Sequence, residues 1–236
     1  MLLRENPEAA AQILAEARER VDARSLRAPG VHVSDLIRCL RRSWYEKRGY
    51  VASDPGVDSI MLLGHGHHGV LQPPAGAEMH VTLAGDIPIH GTIDVYLPEN
   101  KLWTHPTEIK STRYSSEKPV IDGLGQYIEQ LAAYCLIVGD PTGRLVIWHL
   151  MGNYSTSRAP KLRVWDIIFE EGELESWEPE LRRRAAILIG DEEPSLDEHF
   201  EWECKDCPLR TTLGLCEGGE GRVAAWFYGL PEWVSG

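Results

Sequence analysis

Three of the chain's five cysteines fall within thirteen residues, as Cys204-x-x-Cys207 followed by Cys216, and this restricts the fold more than any other feature. Three soft thiolates on so short a segment make most of a tetrahedral metal site, and the fourth ligand has to come from far away in the sequence. Two candidates exist. Cys135 lies in the apolar stretch 131–138, where a buried free cysteine packs as a small hydrophobe. Cys39 lies in the polar run Ser34-Asp35-Leu36-Ile37-Arg38-Cys39-Leu40-Arg41-Arg42. A tie from residue 39 to residues 204–216 would close a very long loop and remove much unfolded-state entropy. The spacing admits zinc as well as iron.

Reading these thiols as metal ligands, not disulfides, presupposes a reducing compartment. The N-terminal MLLRENPEAAAQILAEARER has no apolar signal core, and no apolar run reaches the ~20 residues of a membrane span. The expectation is a cytoplasmic protein with no membrane partner. At 236 residues, 43% hydrophobic and 25% charged, the chain can bury one sizeable core. Its formal net charge of −12 argues mildly against a nucleic-acid partner. That charge is uneven, however. Arg38, Arg41, Arg42, Lys47 and Arg48 form a basic stretch with Glu46 its only acid, and much of the acid lies in the C-terminal third. Distant charges are screened within ~8–10 Å, so a local basic groove could still bind phosphate.

No internal repeat or long low-complexity linker interrupts the chain. Apolar periodicity predicts helices over 7–23, from Ser34 as N-cap to about Arg48, over 58–71, over 118–138 ending at Gly139, and over 173–189. Alternation predicts strands over 80–86, 89–97, 102–111, 144–151 and 161–169, with a turn at 98–101 and Pro106 marking an edge or bulge. The first three strands read as an antiparallel meander. The order is that of an α/β fold with a mixed central sheet flanked by helices.

Three short pieces carry chemistry: Gly91-Thr92-Ile93-Asp94, Glu108-Ile109-Lys110, and Gly64-His65-Gly66-His67-His68. Residues 108 and 110 are two apart on a strand and share a face. A hairpin closing at 98–101 brings Asp94 beside Glu108. Two carboxylates then form a hard-oxygen site for Mg²⁺ or Mn²⁺, a nearby histidine tilts the preference toward Mn²⁺, and a lysine can orient water or stabilise charge on a phosphorane. Any one of these pieces alone is usually a solvated face. Their joint occurrence around one predicted hairpin is what carries weight.

Gly64-x-x-x-His68, Gly91-x-x-Asp94, Glu108-x-Lys110 and Gln130-x-x-x-Tyr134 resemble the successive motifs of the RecB-like nucleases in the PD-(D/E)XK superfamily. The resemblance runs from the Ser34 helix to Cys216. It implies a restriction-endonuclease-like core and a catalytic metal held by His68, Asp94, Glu108 and the Ile109 main-chain carbonyl. It also implies that Lys110 is the catalytic lysine and that Gln130 and Tyr134 border the site and contact DNA. No proline precedes Asp94, and His65 and His67 compete with His68. The cysteines resemble the iron–sulfur branch of that family, which includes the CRISPR-associated Cas-four exonucleases. The branch implies a [4Fe–4S] cluster on Cys39, Cys204, Cys207 and Cys216, although Leu40 stands where the family often has proline.

The expectation is one nuclease domain over 1–236. It comprises a helical segment (1–57) with the first cluster cysteine, a nuclease core (58–170), and a C-terminal helix with the cluster-binding segment (171–236). The expected activity is metal-dependent exonucleolytic degradation of DNA, preferentially at single-stranded ends. The setting would be CRISPR spacer acquisition beside the integrase complex, or recombination and repair in a phage or mobile element. A catalytically inactive DNA-binding iron–sulfur or zinc module is the non-enzymatic alternative. Arg38, Arg41, Arg42 and Arg113 are the candidate phosphate contacts. Trp44 and Tyr45 read as core packing or as base-stacking residues.

Overall fold

The computed structural model describes residues 29–50, 62, 64, 66–73, 78–112, 121–150, 160–196, 200–205 and 207–218. The helix expected over 7–23, most of the first half of that over 58–71, His65 and Arg113 lie outside them.

The elements run β1 (Val31–His32), α1 (Val33–Ile37), α2 (Leu40–Lys47), a helical stretch at 66–71, β2 (Met79–Leu83), β3 (Ile89–Ile93), β4 (Thr107–Thr112), α3 (Ile121–Val138), β5 (Thr142–His149), β6 (Lys161–Ile168), α4 (Glu173–Ile189), a 3₁₀ turn (Glu201–Cys204) and α5 (Pro208–Thr211). They build a mixed α/β fold of two three-stranded sheets flanked by helices, with strand orders β1-β3-β2 and β4-β5-β6. Pairing is antiparallel in β2–β3 and β5–β6, and parallel in β1–β3 and β4–β5. A parallel neighbour needs a long crossover, and α3 lies within the one between β4 and β5.

Two expectations are corrected. The predicted antiparallel meander stops at β3, because β4 takes β5 as its parallel neighbour. β4 meets the hairpin arm only at the Val95–Thr107 bridge, through Thr107 N–H to Val95 O at 2.9 Å and Val95 N–H to Thr107 O at 3.3 Å. Pro106 has no N–H to give a ladder, and β4 begins just after it. The turn at 98–101 does form, with Leu97 N–H donating to Trp103 O at 2.8 Å and the Asn100 side chain accepting from Leu102 and Trp103 N–H.

The single helix expected from Ser34 to about Arg48 is two helices, capped at His32 and Cys39. Arg38 is extended (φ −82°, ψ −176°) and Cys39 is non-helical (φ −50°, ψ 113°). The break is stable because side chains take the carbonyls that a continuous helix would use. Ser43 Oγ donates to Asp35 O at 2.8 Å, Arg184 Nε to Leu36 O at 2.6 Å, and Arg184 Nη2 to Arg38 O at 3.1 Å.

α3 packs across both sheets, against β2, β4 and β5, and against α1 and α4. It ends at Gly139, whose φ of 74° is left-handed and whose N–H bonds Cys135 O at 2.9 Å. α4 buries Leu174, Trp177, Leu181, Ala185 and Leu188, one helical stripe, into the same core. On the opposite face of the second sheet, Val95, Ile109 and Val146 form a small buried cluster with Leu71, Leu97 and Trp103 packed against it. No helix among the described residues is long and apolar enough to cross a membrane.

Candidate active site and cysteine segment

Strand alternation sorts β4. Ile109 pairs with Val146 and points into the small cluster, whereas Glu108 and Lys110 pair with Leu145 and Ile147, which face the main core beneath α3. Glu108 is therefore only 1% exposed, a charged group on a core face. Its Oε1 meets the Lys110 ammonium, and its buried Oε2 has no hydrogen-bond partner among the described residues.

Asp94 follows β3, and the Val95–Thr107 bridge brings it beside β4. Asp94 Oδ2 accepts the Ile109 N–H at 2.7 Å, and Oδ1 lies 3.6 Å from His68 Nδ1. Gln72 Nε2 donates to the Asp94 carbonyl at 3.1 Å, a contact without a sequence signal. His67 turns away, its ring 5.2 Å from that of Trp148. Of the two described candidates, His68 is thus the one against Asp94.

The electrostatics follow from burial. Desolvation, helped by the nearby Asp94 charge, pushes the Glu108 carboxyl up to about 8, and Lys110 offsets this only in part. Burial works against the Lys110 charge, but Glu108 and Asp94 outweigh it and hold the ammonium protonated well above its ordinary range. A buried carboxylate with an unpartnered oxygen, beside a second carboxylate and an imidazole, is a donor set suited to a hard divalent cation. The side chains are turned to other partners, Asp94 to the Ile109 amide and Glu108 to Lys110. Among the described residues, no three His, Cys, Asp or Glu side chains form a finished metal cage.

α3 forms one wall. Gln130 Nε2 donates to the Tyr134 hydroxyl at 2.9 Å, and Lys110 Nζ lies 5.6 Å from the Tyr127 ring centroid. Burial, and next to it the Glu108 charge, raise the Tyr134 phenol, so it stays protonated. Tyr127 belongs to none of the sequence motifs. Its spacing from Gln130 and Tyr134, three and seven residues, puts it on the same helical face and could have found it. Gly91 has its own reason: a Cβ there would lie 2.7 Å from Tyr134 Cε1. The motif glycine is what admits the tyrosine ring.

The three described basic candidates are committed within the chain. Arg38 pairs with Glu46 at 2.5 Å, Arg42 with Glu46 at 2.8 Å, and Arg41 with Glu193 at 3.0 Å and the Pro194 carbonyl at 2.9 Å. Trp44 packs against the core, with Nε1 donating to Gly190 O at 2.9 Å and the Arg48 guanidinium 3.7 Å over its ring. Tyr45 donates its hydroxyl to Glu193 at 2.9 Å. These contacts stitch α2 to the segment after α4.

All five cysteines are free thiols. Cys39 caps α2. Burial pushes its thiol up to about 12, with Glu203, Cys207 and Cys204 adding to the rise and the Arg42 amide opposing it. The first and last cysteine segments therefore meet. Cys204 ends the 3₁₀ turn, buried Cys207 caps α5, and Cys216 Sγ accepts the Gly218 N–H at 3.4 Å. Cys207 is buried and Cys39, Cys204 and Cys216 are half-buried, a set of soft donors of the kind that a cationic centre would hold as thiolates. Cys135 sits apart in the α3 core, and a Cβ on Gly143 would lie 2.8 Å from its sulfur.

No protein-family model matches the chain, and no curated protein matches it. Among solved structures, the crystal structure of SSO0001 superposes with a TM-score of 0.57 at 20% identity, covering 86% of this chain and 95% of that one. The likeness is one of fold.

Proposed function

We propose that the chain is a divalent-metal-dependent DNA exonuclease with a restriction-endonuclease-like PD-(D/E)XK core of the RecB type. The observation that carries this reading is the convergence of Asp94, Glu108 and Lys110, with a Glu108 oxygen buried and unpartnered. Asp94, Glu108, His68 and the Ile109 carbonyl would hold Mg²⁺ or Mn²⁺. When bound, that ion supplies charge neutralisation at the phosphate and a more acidic water.

The chain's own groups do the rest. The Ile109 N–H fixes the Asp94 carboxylate and Gln72 anchors its backbone. Lys110 stays protonated beside two carboxylates, so it acts as a fixed positive charge that orients water or stabilises the phosphorane, and not as a general base. Tyr127, Gln130 and Tyr134 close one side with a rigid, partly apolar wall that limits water at the reacting phosphate.

The second part of the proposal is a [4Fe–4S] cluster on Cys39, Cys204, Cys207 and Cys216, with a stapling role. Zinc is the alternative occupant. Single-stranded ends are the preferred substrate in this reading, and the cellular setting is CRISPR spacer acquisition, in contact with the integrase complex. The engagement of Arg38, Arg41 and Arg42 in internal ion pairs favours keeping the non-hydrolysing DNA-binding or scaffold module as a second reading.

Two measurements test the proposal. DNA degradation should require Mn²⁺ or Mg²⁺ and stop with chelator; DNA binding without hydrolysis under any divalent ion would favour the second reading. Protein purified anaerobically should be brown and contain iron; colourless protein with stoichiometric zinc would remove the cluster.

A further inference from the structure

We propose that Arg184 and Glu203 are positioning residues that clasp the Arg38–Cys39 peptide from both sides, presetting Cys39 against the Cys204–Cys216 segment before any metal arrives. The inference rests on the reading of these cysteines as ligands of one centre, and it assigns roles to two residues outside every motif.

The geometry is specific to one peptide unit. Its carbonyl, Arg38 O, accepts from Arg184 Nη2 at 3.1 Å, and its N–H, on Cys39, donates to Glu203 Oε1 at 2.9 Å. The two partners stand 146 and 164 residues away in sequence. Both are fixed. Arg184 is fully buried, and its Nε also holds Leu36 O at 2.6 Å. The other Glu203 oxygen takes the Phe200 N–H at 2.8 Å, and Glu203 N–H returns a bond to Phe200 O at 2.9 Å. The carboxylate is thus rigid within its own 3₁₀ turn, and the next residue is Cys204.

Electrostatics alone would not put a carboxylate here. Next to burial, Glu203 is among the groups that make the Cys39 thiolate harder to form. Its placement is explained by the hydrogen bond to the Cys39 amide. The helix break at Cys39 is then a built feature: it sets Cys39 at a point gripped by α4 and by the ligand-bearing turn. Metal would find the distant ligand already in place, with little chain to order on binding.

The test uses the full-length chain, stripped of metal under anaerobic reducing conditions. In a background keeping only Cys39 and Cys207, limited diamide oxidises the two thiols to a disulfide and is itself reduced to the hydrazine, so the trapping rate reads their encounter. Co²⁺ titration of the full-cysteine protein, followed by thiolate-to-cobalt absorption, reads affinity.

Glu203→Ala should slow trapping and weaken Co²⁺ by about tenfold, the usual scale for residues that orient metal ligands. Stoichiometry and circular dichroism should not change. Glu203→Gln keeps an acceptor oxygen for the Cys39 N–H, although its amide NH2 then faces the Phe200 N–H, and should recover part of the rate. Glu203→Asp keeps the charge but not the reach, should behave like the alanine variant, and serves if Glu203→Ala does not fold.

Wild-type rates in both shortened variants would overturn the clasp. So would a glutamine variant as slow as alanine, since an acceptor oxygen at this position would then count for nothing. A wild-type chain that binds neither Co²⁺ nor iron through thiolates, yet still traps faster than Glu203→Ala, would sink the metal-centre reading and leave the clasp standing.

Discussion

Replacing Gly91 with alanine should cost more than its one methyl suggests. The new Cβ would lie 2.7 Å from Tyr134 Cε1 and 3.2 Å from both Tyr134 Cδ1 and Val81 Cγ2. The first contact is about 1 Å inside the ordinary ~3.5–4.0 Å separation of carbon atoms. Neither neighbour is a flexible tip that can swing away. Tyr134 is 3% exposed, its hydroxyl bonded to Gln130, and Val81 is buried on β2. Relief requires β3 to shift or the ring to leave its place beside Glu108 and Lys110. Overpacking of this kind costs about 1–3 kcal/mol. At roughly 2–4 °C per kcal/mol for a domain of this size, Tm should fall by about 2–12 °C. Urea and thermal unfolding measure the loss, and a double-mutant cycle assigns it. Tyr134→Ala removes the ring that clashes, so the double variant should be more stable than the sum of the single losses by about 1 kcal/mol or more. A Gly91→Ala protein within about 0.5 kcal/mol of wild type, or strict additivity, would refute the close approach.

Glu108 gives the chain a pH signature in chelator. Its folded-state carboxyl lies at about 8 against an ordinary 4.5, so the folded protein binds this proton more tightly than the unfolded chain. The stability it contributes is full below about pH 4.5, falls as pH rises toward 8, and is flat above. Glu108→Gln should remove that slope, gaining more Tm over wild type at pH 8 than at pH 5; parallel profiles would contradict the burial argument. Under the proposed iron–sulfur reading, Cys135→Ala should leave iron content unchanged because that thiol packs in the α3 core, while Cys39→Ala should lose it. Metal analysis of both purified variants decides it, and the reverse pattern would exchange the two assignments.

What the sequence made legible depended on how local its causes were. α4 spans the residues its apolar stripe predicts, because capping and periodicity act within one segment. Gly139 ends α3 for the same local reason. The break at Cys39 was not legible. Residues 34–48 have good helical periodicity, and beside Ser43 the partners that stabilise the break, Arg184 and Glu203, come from 146 and more residues further along the chain. The pairing of β4 with β5 was equally hidden, since strand alternation shows which faces are apolar but not which neighbour a strand takes. In the site, the spacing of Glu108 and Lys110 showed their shared face, but not that the face would be buried beneath α3. That burial, invisible in a Glu-Ile-Lys tripeptide, raises the Glu108 carboxyl and leaves one oxygen without a partner. In the basic stretch, Glu46, the one acid among the arginines, takes both Arg38 and Arg42, a local pairing within reach of the sequence; the partners of Arg41, Glu193 and Pro194, lie beyond α4 and were not legible.

The central claim is that Asp94, Glu108 and Lys110 form a metal-dependent phosphodiesterase site. Its most direct test is the time course of end-labelled single-stranded DNA with Mn²⁺, comparing wild type with folded Asp94→Ala and Lys110→Ala proteins. Progressive shortening by wild type and none by either variant is the predicted result. Hydrolysis retained in both variants would contradict it.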